Sequence, residues 1–144
     1  MSKRKLNNPG ARAPANNLKV ENKMTNLFNA VNEICNLEEN AADICEHGAS
    51  AGFSGFIYYS DTWAFANKYR ALIIELLKDQ AADFGMDWLD LLCSFNCLKE
   101  YSKAEIAEGL FDPESDCNCT VYNALAWYAL EEAARDYVNE LEAA

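Results

Sequence analysis

Gly48-Ala-Ser-Ala-Gly-Phe-Ser-Gly-Phe-Ile-Tyr-Tyr-Ser-Asp-Thr62 is the stretch around which the chain is organised. It is the one glycine-rich segment, holding Gly48, Gly52 and Gly55 within eight residues, and it is dense in aromatics: Phe53, Phe56, Tyr58 and Tyr59. Gly48 follows Cys45-Glu46-His47 and suits a left-handed position just past a helix end. Phe56–Tyr59 is β-prone and too short for a helix, so it is expected to be extended or a short strand. Ser60-Asp61-Thr62 offers three successive N-caps for a following helix. A glycine loop before a helix can cradle phosphate. Here the Gly-Lys-Ser/Thr ending is missing, no βαβ pattern precedes it, and Asp61 would repel the anion. The segment therefore reads as a tight connection that pins aromatics between helices.

Helical apolar spacing lies on both sides of it. Leu27, Phe28, Val31, Ile34, Leu37, Ala41, Ile44 and Cys45 form a stripe over about 25–46, with a candidate break at Glu38-Glu39-Asn40. Trp63, Phe65, Ala66, Tyr69, Leu72, Ile73, Leu76 and Leu77 form another over about 61–82, ending near Gly85. A short helix over 87–98 has Asp87 as cap and Asp90 in a capping-box-like position, with Trp88, Leu89, Leu91, Leu92 and Phe95 turned inward. Ser102-Lys-Ala-Glu105 is a capping box for a fourth helix ending near Leu110. Asp112–Cys119 is a loop by composition. A fifth helix runs from near Thr120 to the C-terminus, apolar all round at Ala124–Leu130, with Glu131 and Arg135 as an i,i+4 pair and Asp136 and Glu140 facing out. The expectation is an all-α, compact bundle of about five helices.

Residues 1–23 read as a disordered basic tail and 24–144 as the acidic helical domain. The tail holds six cations against Glu21 alone, a net +5, so the rest carries −16 of the total −11. That excess exceeds the magnitude of about 2–8 that solubility asks of a small domain. No apolar run approaches the ~20 residues of a membrane span, and the N-terminus lacks the apolar core of a secretory signal. A cytoplasmic setting is expected, with six reduced cysteines.

The chemistry-bearing residues do not assemble a reaction. Cys93-x₃-Cys97 with Cys117-x-Cys119 is not a standard zinc pairing, and Cys35 and Cys45 read as small core residues. His47, the sole histidine, suits a helix C-terminus, where its charge favours the dipole. Among 22 acids, carboxylate pairs at helical spacing arise by chance. No catalytic residue, metal or cofactor is assigned. What remains is a strongly negative outer surface, which repels nucleic acid and attracts Lys/Arg-lined grooves. Duplex DNA carries one charge per about 1.7 Å of axis, a density that carboxylates spread over a helical bundle can approximate. Composition alone leaves both mimicry of nucleic acid and plain solubility open.

Met24-Thr-Asn-Leu-Phe-Asn-Ala-Val-Asn32, His47–Thr62, Phe95-Asn-Cys-Leu98 and Asn123–Ala133 resemble a small acidic domain family of unknown function carried by phages and other mobile elements. The resemblance covers about 24–144. It implies a host-defence inhibitor, similar in kind to anti-CRISPR or anti-restriction proteins. The expected partner is a Cas effector or restriction enzyme in the host bacterial cytoplasm, with no direct DNA binding by the acidic domain and no membrane. The expected contact residues are Glu38, Glu39, Asp43, Glu46, Asp79, Asp83, Asp87, Asp90, Glu131 and Glu132, with Phe53, Tyr58 and Tyr59 as aromatic anchors. The alternative is a non-enzymatic module that self-associates through aromatics.

Overall fold

The computed structural model describes residues 15–48 and 59–143. Among them the protein is all-α, with no strand. The helices are α1 (Ala15–Asn32), α2 (Leu37–His47), α3 (Tyr59–Phe84), α4 (Trp88–Cys93), α5 (Lys103–Phe111) and α6 (Asn118–Ala143), with a 3₁₀ turn at Asn96–Leu98. The chain divides into two units: Met1–Phe56 with Ala129–Ala144, and Ile57–Tyr128. The boundary between the units falls within the 26 residues of α6, between Tyr128 and Ala129.

In the first unit, Leu27, Val31, Leu37, Ile44 and Leu130 are fully buried, and Phe28 stacks on Tyr137 with ring centroids 5.5 Å apart. α1 begins at Ala15, ten residues before the expected start and inside the stretch assigned to a tail. The break between α1 and α2 falls at Glu33–Asn36, before the anticipated Glu38-Glu39-Asn40. Three asparagines make it. Asn36 caps α2 by accepting from the Glu38 N–H at 3.1 Å, Asn32 Oδ1 accepts from the Leu37 N–H at 2.9 Å, and Asn40 Nδ2 donates to the Asn36 carbonyl at 2.9 Å. Glu38 and Glu39 then occupy the first turn, where the helix dipole favours negative charge. The acidic pair marks a beginning, not a break. Gly48 ends α2 with its N–H on the Ile44 carbonyl at 2.7 Å. Its φ of 93° is positive as expected, but ψ of 175° puts it in a glycine-only extended region and not the left-handed helical one.

In the second unit, α3 starts at Tyr59. Ser60, Asp61 and Thr62 therefore lie inside its first turns instead of capping it, and the expected extended segment loses Tyr59 to the helix. Phe56 and Tyr58 lie outside the described residues. α3 is interrupted at Tyr69, whose φ of −107° and ψ of 16° leave the helical region. It ends in a Schellman motif: Gly85 sits at φ 69°, the Gly85 N–H reaches Ala82 O at 3.1 Å, and the Met86 N–H reaches Ala81 O at 3.0 Å. Asp87 caps α4, accepting from the Leu89 N–H at 3.1 Å. The anticipated 87–98 helix is split, however: α4 stops at Cys93, and Ser94 and a 3₁₀ turn follow. Of the five residues expected inward there, Leu92 is fully buried and Trp88, Leu89, Leu91 and Phe95 are half-buried. The α5 capping box forms with Ser102 N–H on Glu105 Oε1 at 2.8 Å and Glu105 N–H on Ser102 Oγ at 3.1 Å.

α5 and the start of α6 meet at very close range. A Cβ at Gly109 would lie 2.7 Å from Cys117 Sγ and 3.1 Å from Val121 Cγ2. At the same point the buried Asn118 side chain bridges two elements. Its Nδ2 donates to the Gly109 carbonyl at 2.7 Å, and its Oδ1 accepts from Trp63 Nε1–H of α3 at 2.8 Å. One turn on, the Tyr122 hydroxyl accepts from Arg70 Nη1 at 2.9 Å and donates to the Leu110 carbonyl at 3.3 Å, while the Tyr122 ring stacks on Trp63. Apolar packing and polar satisfaction coincide here. Gly109→Ala is expected to destabilise by about 1–3 kcal/mol, since overpacking outweighs the ~1 kcal/mol gained in helix propensity. Asn118→Ala strands a buried carbonyl and a half-buried indole N–H and is expected to cost about 1–3 kcal/mol. Urea unfolding curves of both variants check this, and an unchanged midpoint for Asn118→Ala would refute the bridging role.

Candidate functional site

The ten expected acidic contact residues separate into two sets. Glu38, Glu39, Asp43, Glu46, Glu131 and Glu132 belong to the first unit, and Asp79, Asp83, Asp87 and Asp90 to the second. Phe53 and Tyr58 lie outside the described residues, as does the side chain of Tyr59, so no aromatic anchor is placed by them.

α2 presents the clearest surface. Glu38, Glu39, Asp43 and Glu46 are all exposed, and Glu39, Asp43 and Glu46 share one face at i, i+4 and i+7. Glu46 Oε1 lies 3.5 Å from His47 Nε2, with both side chains exposed. Among the described residues no cation pairs with Glu38, Glu39 or Asp43. His47 ends α2 as expected. Cys45 corrects an expectation: it is exposed, not core, because position 45 lies one step round the helix from the buried Ile44.

On the second half of α6 the expected Glu131–Arg135 pair gives way to an i,i+3 contact, Arg135 Nη1 donating to Glu132 Oε2. Burial works against the Arg135 charge, but the field and hydrogen bond of Glu132 and the field of Glu131 outweigh it, so its pKa is raised. Glu131 and Glu132 are half-buried, and so are Asp136 and Glu140, which were expected to face outward. A helix that serves a core on its inner face has little fully open surface left.

In the second unit Asp83, Asp87 and Asp90 are exposed and Asp79 is half-buried. The pairing partner here was not read from the sequence. Lys103, the first residue of α5, places Nζ 2.9 Å from Asp90 Oδ1 and 3.7 Å from Asp87 Oδ2. The hydrogen bond to Asp90 raises the Lys103 pKa. Asp90 thus ties α4 to α5 and does not complete a capping box with Asp87. Asp87 and Asp90 are thus already engaged in local structure. A lysine sixteen residues after Asp87 carries no periodicity signal that would have announced the pairing.

The thiols sort by burial. Cys35 and Cys117 are buried, Cys93 is half-buried, and Cys45, Cys97 and Cys119 are exposed. Cys117 Sγ donates to the Glu105 carbonyl at 3.0 Å. Among the described residues no group of three or more His, Cys, Asp or Glu side chains is placed to hold a metal ion, and no helix is long and apolar enough to cross a membrane. Burial pushes the Cys35 thiol above its ordinary 9.0, a hydrogen bond with Asn40 partly offsetting it. The stability this carries is present below pH 9.0 and is lost as pH rises through the folded value. Maleimide labelling at pH 8 is expected to modify Cys45, Cys97 and Cys119 about tenfold or more faster than Cys35. Cys35→Ala is expected to flatten the decline in unfolding free energy above pH 9. Equal labelling of Cys35 and Cys45 would contradict the burial pattern.

No curated protein and no solved structure matches the chain. A family comparison matches residues 17–143 to a domain of unknown function (DUF7222). The match takes in every helix described except the first two residues of α1, and the chain therefore belongs to the DUF7222 family.

Proposed function

We propose that this protein works by binding: its acidic helical surface occupies the positively charged, nucleic-acid-binding surface of a bacterial defence complex, a Cas effector first among them. The observation that carries this reading is α2. Its four exposed acids span Glu38 to Glu46, ~12 Å of helix, about one charge per 4 Å. Each strand of duplex DNA carries one charge per about 3.4 Å. A surface serving only solubility has no need of such spacing, and intersperses both signs. The resemblance to acidic mobile-element domains supports the choice of a defence complex as partner.

The test is a tagged pull-down from a bacterial lysate with active CRISPR and restriction systems, followed by DNA competition on the purified partner. The expected result is capture of a Cas or restriction subunit that DNA displaces and that is lost as salt rises from about 0.05 to 0.5 M. Combined Glu38→Lys, Glu39→Lys and Asp43→Lys is expected to weaken capture by about tenfold or more. Inhibition that survives both high salt and this charge reversal would remove mimicry. Recovery of the protein with itself alone would favour a self-associating module; among the described residues Phe84, Phe111 and Trp127 are exposed aromatics.

A further inference from the structure

We draw no further inference here: the strongest candidate, the cavity of about 310 Å³ between the C-terminal end of α2 and the second half of α6, is lined by Glu131 and Arg135, which already have interaction partners, and nothing in the structure shows what covers it.

Discussion

The last turn of α5 leaves carbonyl oxygens that no intrahelical N–H reaches, and these lie in the interior of the second unit. An unsatisfied buried carbonyl costs about 1–3 kcal/mol, enough to matter against a total stability of about 5–15 kcal/mol. The protein satisfies them from other helices. Asn118 takes the Gly109 carbonyl, and Tyr122 takes Leu110, with Arg70 behind it. These bonds are available only because Gly109 has no side chain and lets α6 approach. They also bring a cation to a helix C-terminus, where the dipole favours it. Trp63 is drawn in twice, through its indole N–H and by stacking on Tyr122. Three helices are therefore fixed by one junction of hydrogen bonds, and no buried side-chain polar atom among the described residues is left without a partner.

Elsewhere short polar side chains decide where helices stop and start. Asn32, Asn36 and Asn40 divide α1 from α2, Asp87 and Ser102 begin α4 and α5, and Gly85 closes α3. Each of these residues offers the backbone a local hydrogen bond or an angle that continued helix does not. Several acids also have structural duties at these points: Asp87 as a cap, Glu105 in the capping box and Asp90 with Lys103. They contribute to the acidic composition without being free to meet a partner. On α2, Glu38, Glu39 and Asp43 are exposed and pair with no cation among the described residues.

The row of exposed acids on α2 gives the binding proposal its physical content. A helix carrying acids at about the linear density of a DNA strand presents a field that a basic groove recognises before any shape is matched. A field alone gives rate and selectivity more than it gives residence time. A contact that persists needs a desolvated anchor as well as a field.

Much of the fold was legible in the chain itself. Apolar spacing at i, i+3 and i+4 located the helices because burial of one face is the main force that forms them, and Ser102–Glu105, Asp87 and Gly85 announced their ends because capping is chemistry between near neighbours. The charge asymmetry was equally plain, and with it the expectation of a basic partner. The tertiary structure alone decided what depends on residues far apart. It placed Asn118 on Gly109 and Trp63, paired Arg135 with Glu132 over Glu131, gave Lys103 to Asp90, turned Cys45 outward and opened a cavity between α2 and α6. Helix start and stop are set within about four residues, whereas the partner of a buried polar group is set by which backbone comes within about 3 Å, and no local pattern encodes that distance.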